Sequence, residues 1–351
     1  MERLATLTIV LLTIVPVGCR LDAIFLSQRG LTAPTPPRQP TEGPGSSDYL
    51  HNRVAHVHVR GGTRAYHLFE PDDPKPETAP VVAFLHAYGV IHPRTYRAWI
   101  NHIVRRGNIV VYPVYQTTLL TPSAAYTSGA VEALVDAYKL LRSEGHAQPH
   151  PEHLAVVGHS IGGVLAANLA ASAEGVGLPA PHVVMLANAG DVRGTLSVYL
   201  FQTILQDVDY EAIPAEALML GVIGDRDNIV PGEAPIAIFR DTPQIPLENK
   251  QILVLHSDDY GSPPLRASHT AAASVTFLRT RASDRPARER ARNDSADAMD
   301  YYGYWKWLDA LTDAAFYGLH REYALGGAIE QTYMGTWSDD TPVRAAEVIF
   351  P

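Results

Sequence analysis

The residues best placed to do chemistry are Gly158-His159-Ser160-Ile161-Gly162. A serine hydroxyl is a poor nucleophile until a base takes its proton, and it must stand clear of the chain to reach a carbonyl carbon. The apolar run Leu154-Ala-Val-Val157 leads into the serine and Val164-Leu-Ala-Ala-Asn-Leu169 follows it, the pattern of a strand, a sharp turn and a helix. Gly158 and Gly162 bracket Ser160 where a strained turn leaves no room for side chains. Attack by Ser160 on a carbonyl would create an oxyanion, which needs preorganised N–H donors. The backbone N–H of Ile161, at the start of the helix, is one. The base should be a histidine, whose pKa lets it accept and return a proton near neutrality. With 15 histidines present, presence alone decides nothing. A carboxylate must orient that base, and Gly224-Asp-Arg-Asp-Asn-Ile-Val-Pro231 offers Asp225 and Asp227 directly after an apolar run. Asp191, just past Ala189-Gly190, is a third candidate.

The elements that must position these groups are legible as short apolar runs separated by helical patterns. Val54–Val59 and Ala65–Phe69 flank Gly61-Gly62, a hairpin signal. Val81–Leu85 and Asn108–Tyr112 are nearly unbroken apolar runs, as expected of central parallel strands covered on both faces. Further runs lie at Leu154–Val157, His182–Leu186, Ala217–Ile223 and Gln251–Leu255. Between them Val131, Leu134, Val135 and Tyr138 recur at helical spacing. Strands alternating with helices imply right-handed crossovers and a doubly wound, mostly parallel sheet. About eight strands are expected, with an antiparallel start and helices on both faces. Leu200-Phe201 and Ile204-Leu205, inside 191–215, suggest a small cap over the site. Tyr304, Leu308, Leu311 and Ala315 mark one face of a late helix. The nearby Tyr301, Tyr302, Trp305 and Trp307 read as core packing, so residues 296–351 should pack back on the sheet as a helical extension of a catalytic domain spanning 51–351. The arginine-rich segment 279–292 reads as a solvated loop or exposed helix.

Composition narrows the function classes. A chain of 351 residues can bury a substantial core without disulfides or metals. Its balance of 28 basic against 37 acidic residues, a net charge of −9, argues against a nucleic-acid partner, which needs a basic face. The single cysteine, Cys19, rules out an intramolecular disulfide and a cysteine-rich zinc site. Leu4–Val17 is an apolar stretch too short for a transmembrane helix and suited to a signal-peptide core. Gly18 directly before Cys19 resembles the bacterial lipoprotein processing site, so residues 1–19 are expected to be a signal peptide of lipoprotein type, with Cys19 as the lipidation site, although Pro16 stands where that pattern prefers leucine. Residues 20–50, with Pro34, Pro36, Pro37, Pro40 and Pro44 among glycines and serines, read as a linker holding an exported domain off a membrane.

The blocks LHAYG at 85–89, GHSIGG at 158–163 and GDRDNIVP at 224–231, with the loop ending at His269, resemble the α/β-hydrolase superfamily over roughly residues 55–278. They are similar in particular to its dienelactone-hydrolase-like and cutinase-like (polyester hydrolase) branches. In enzymes of this fold the acid usually precedes Val-Pro with two residues between, which selects Asp227 and leaves Asp225 as a turn or cap residue. The chain order of nucleophile, acid and base leaves His256, His269 and His320. His256 falls at the end of a strand and His320 on the late helix, whereas His269 sits on a loop before a new helix. The resemblance also gives Tyr88 the second oxyanion N–H, with Ala87 replacing the first glycine of the family's His-Gly-x loop. It implies hydrolysis of small or polymeric carboxylic esters through an acyl-enzyme, with no cofactor and no metal. Thioesterase, lipase and peptidase chemistry would use the same triad, and a tethered binding protein is the alternative of another class. Two departures stand out: the nucleophile is serine where dienelactone hydrolases have cysteine, and the disulfide common in secreted polyester hydrolases is absent.

Overall fold

The computed structural model describes residues 33–190, 208–230, 232–273 and 296–350. They build a nine-stranded sheet in the order β1-β2-β4-β3-β5-β6-β7-β8-β9. The hairpin β1 (Arg53–Val59) and β2 (Ala65–Asp72) is antiparallel and β2 joins β4 antiparallel; β3 (Thr78–Leu85), β4 (Ile109–Val114), β5 (Gln148–His159), β6 (Pro181–Ala187), β7 (Leu218–Gly224) and β8 (Lys250–Leu255) run parallel. All eight expected strands are present. The ninth, β9 (Glu347–Ile349), adds antiparallel to β8; at three residues it is too short to announce itself by periodicity.

Side chains alternate across the parallel strands and feed two separate cores. On β3, Val81, Ala83 and Leu85 enter one layer while Val82 and Phe84 enter the other. The first layer is closed by α2 (Tyr126–Leu141), α3 (Ile161–Ser172) and α4 (Glu233–Arg240), which contributes Ala234 and Ile238. The second is closed by α1 (Arg97–Arg105), through Trp99, Ile100, Ile103 and Val104, and by α5 (Trp305–Tyr317), through Trp307, Leu308 and Leu311. Helix α3 is buried without a break from Ile161 to Ala170, which explains its run of alanine, glycine and aliphatic residues. The late aromatic cluster is core, with Tyr304, Trp305 and Trp307 buried. Two further short helices, α6 (Arg321–Ala324) and α7 (Ile329–Thr332), complete the extension. Lys306 is buried beneath α7 and donates to the carbonyls of Glu330, Gln331 and Tyr333.

The linker expected at 20–50 requires a correction over its described part. Residues 33–50 form a strap against the body. Pro37, Pro44, Gly45 and Ser46 are buried. The Gly45 N–H donates to Asp309 Oδ2 at 2.8 Å, Pro34 O accepts from Ser262 N at 2.8 Å, and Ser338 N donates to Thr35 O at 3.1 Å. Arg105 lies 3.8 Å above the Tyr49 ring. A proline-rich segment has few backbone donors to satisfy, so an extended strap can lie on a surface that supplies the partners. The signal peptide with Cys19, the expected cap residues Leu200-Phe201 and Ile204-Leu205 with Asp191, and the arginine-rich segment 279–292 lie outside the described residues. Among the described residues no helix is long and apolar enough to cross a membrane.

Candidate active site

The turn between β5 and α3 puts Ser160 in the left-handed region, at φ 58° and ψ −127°. A non-glycine residue is held there only when its surroundings over-determine it. They do. Ser160 N donates to Ala187 O at 3.0 Å, and Ser160 O accepts from Gly163 N at 2.9 Å and Gly190 N at 3.2 Å. A Cβ at position 158 would fall 1.9 Å from Gly162 O, and one at position 162 would fall 2.3 Å from Leu85 O, so both bracketing glycines are required by close backbone approach.

Asp227 and His269 converge on this turn from the loops after β7 and β8. His269 Nε2 is 2.9 Å from Ser160 Oγ, and His269 Nδ1 is 2.8 Å from Asp227 Oδ2. With an ionised carboxylate as acceptor, Nδ1 carries the hydrogen and Nε2 is free to accept the serine proton. The turn after β7 holds the acid: Asp227 Oδ1 accepts from Ile229 N at 2.9 Å and Val230 N at 3.0 Å. Asn188 Nδ2 donates to Oδ2 at 3.0 Å. Burial raises the Asp227 pKa, but the bonds from His269, Val230 N–H and Asn188 outweigh it and hold the carboxyl below its ordinary value. The acid therefore stays ionised.

The competing candidates are placed elsewhere. Asp225 Oδ1 accepts from Ser257 N at 2.9 Å and from its hydroxyl at 2.6 Å, pinning the end of β8. His256 Nε2 lies 3.1 Å from Glu347, and His320 Nδ1 lies 2.8 Å from Asp313. Asp258 orders the base loop by pairing with Leu265 in both directions at 2.9 Å and by accepting from Trp337 Nε1 and Arg344 N. Asp259 pairs with Arg226 and Arg266.

The loop after β3 abuts the serine turn. The amides on either side of Tyr88 are tied down, Ala87 N to Tyr96 Oη at 3.1 Å and Gly89 N to Gln116 Oε1 at 2.7 Å. Ala87 does not take a positive φ, so its methyl group costs the loop nothing. Ile161 is the first residue of α3, so its N–H belongs to the helix-terminal donors that have no intrahelical partner.

Two groups in this neighbourhood carried no signal in the sequence. His159, buried beneath the site, has Nδ1 2.8 Å from Tyr96 Oη and donates from Nε2 to the His269 carbonyl at 2.6 Å. Burial, with His269 nearby, lowers its pKa to about 3, so the ring is neutral. Asn188 lies 28 residues beyond the nucleophile and only the folded chain brings it to Asp227. Among the described residues no group of three or more histidine, cysteine or acidic side chains could hold a metal ion.

The chain is similar to the family described as the alpha/beta hydrolase fold over residues 83–208. That segment contains the serine turn and the Tyr88 loop but neither Asp227 nor His269. No curated protein matches the chain. The mixed, mostly parallel sheet with its antiparallel start and helices on both faces is the α/β-hydrolase fold.

Proposed function

We propose that the protein is a serine hydrolase that cleaves carboxylic esters through an acyl-enzyme. The observation that carries this reading is the continuous hydrogen-bond path from Ser160 Oγ through His269 to Asp227. Ser160 attacks the ester carbonyl as His269 Nε2 takes its proton, and Asp227 holds the imidazole and stabilises the cation that forms. The N–H groups of Ile161 and Tyr88 receive the oxyanion. His269 then returns the proton to the leaving alcohol, and water repeats the sequence to release the acid.

The surroundings favour an apolar acyl group at a partly open site. Leu119 and Leu120, 58% and 78% exposed, sit on the loop that Tyr88 engages by donating from Oη to Leu119 O at 2.7 Å. Ile229, 66% exposed, follows the acid turn. A dehalogenase would need a carboxylate in place of Ser160. Export and lipidation at Cys19 rest on the sequence of residues 1–19 alone, and the mass of the mature N-terminus reads them directly.

A nitrophenyl ester series of increasing acyl length tests the enzymatic reading. Turnover of short and medium chains that is abolished by Ser160→Ala is expected. A clear preference for long chains would make the protein a lipase, and no hydrolysis of any ester by folded protein would leave a thioester or amide substrate or a non-catalytic binding role.

A further inference from the structure

We propose that Tyr304, acting through Asn188, is a positioning residue that aims the Asp227 carboxylate at His269; this rests on the triad reading above. The Tyr304 hydroxyl is hydrogen-bonded to Asn188 Oδ1, and Asn188 Nδ2 reaches Asp227 Oδ2 at 3.0 Å, the same oxygen that faces His269 Nδ1 at 2.8 Å. The polarity of this chain is fixed by chemistry. An ionised carboxylate only accepts, so the amide must present its NH2 to Asp227; its oxygen then faces Tyr304, which must donate. Were the amide turned round, two acceptors would meet.

Each member is held for this purpose. Asn188 adopts φ 44°, a left-handed conformation that asparagine tolerates better than most residues, and its N–H donates to Val222 O at 2.8 Å. Its backbone continues from Ala187, which accepts the N–H of Ser160, so one turn touches both the nucleophile and the acid. A Cβ at position 224 would come 2.3 Å from Ala267 O and 3.1 Å from Asn188 Nδ2, so the glycine ending β7 leaves space both for the loop after β8 and for the amide. Tyr304 is wholly buried, its ring against Trp99 and Trp307. Burial, together with Asp300, Asp227 and Asp297, raises its pKa well above 10, which keeps the hydroxyl a donor. The buried Asp300 and the half-buried Asp297 have raised pKa values, Asp300 by burial and by Asp297, and the neutral His159 is the other titratable group against His269. Tyr304 enters from the C-terminal extension, beyond the segment that matches the family.

The test compares Tyr304→Phe, Asn188→Gly (which keeps the positive φ) and the double variant, with Tyr302→Phe as control. Without its tether the amide no longer holds Asp227 Oδ2 in line with His269 Nδ1, and the bond between them lengthens. The downfield NMR resonance of the His269 Nδ1 proton should therefore move upfield in the first three proteins and not in the control. In the same three proteins kcat should fall by about tenfold with KM little changed. The double variant should shift no further than Asn188→Gly alone. An unchanged Nδ1 proton resonance in folded Tyr304→Phe, or fully additive shifts, would overturn the proposal. Because the resonance needs no turnover, it separates this outcome from a failure of the esterase reading, which would show as an inactive wild type.

Discussion

At the scale of single residues, Ser160 depends on what is done to its neighbours. His269 has two nitrogens with opposite tasks, and only an ionised acceptor at Nδ1 leaves Nε2 as the base. Asp227→Asn should preserve the fold yet lower kcat by about 10³–10⁴-fold, because the wrong tautomer then faces the serine; steady-state kinetics on a nitrophenyl ester read this. His159 and His86 make a second prediction. Burial lowers their pKa values to about 3 and about 4. The unfolded chain takes up protons near the ordinary histidine pKa of about 6.5 while the folded protein does not. By linkage, stability falls as the pH drops from there towards the folded values. Urea midpoints at pH 7.5 and 4.5 should differ in this sense, and His159→Gln should reduce the difference. A midpoint that rises on acidification would contradict it.

At the scale of elements, each side chain of the proposed triad follows the C-terminal end of a parallel strand: Ser160 after β5, Asp227 after β7 and His269 after β8. Most of this was legible. The parallel strands stood out because a strand covered on both faces must be apolar at nearly every position, the first two because they flank Gly61-Gly62, and Ser160 because its turn demands glycines at fixed spacing. What was not legible has physical reasons. Strand β9 is too brief to show a period. Asn188 meets Asp227, and Tyr304 meets Asn188, only across long sequence separations; Tyr304 was legible as part of a helical face but not as a partner of Asn188. The strap at 33–50 has the composition of a linker, and only the partners offered by α1, α5 and the base loop turn it into structure. Gly45 tests that docking: its φ is +81°, and a Cβ there would fall 2.1 Å from Tyr301 O. Gly45→Ala should therefore cost about 1–3 kcal/mol in denaturant unfolding, whereas a free linker would be indifferent to it.

At the scale of the whole molecule, the sheet has two cores, and the second depends on the C-terminal extension. Trp307, Leu308 and Leu311 close it, β9 extends the sheet, and Trp337 and Arg344 reach Asp258 in the base loop. Removing residues 296–351 would expose that apolar layer and release the loops carrying Asp227 and His269. Such a truncation should lose near-ultraviolet circular dichroism and aggregate; a soluble, active product would show the extension to be an appendage. The central claim is that these parts together make Ser160 a nucleophile. Covalent labelling with a fluorophosphonate, read by intact mass and peptide mapping, tests it most directly. One adduct on Ser160, absent in Ser160→Ala and strongly slowed in His269→Ala, is the predicted result. A folded protein that takes no label, or label that persists in Ser160→Ala, would contradict it.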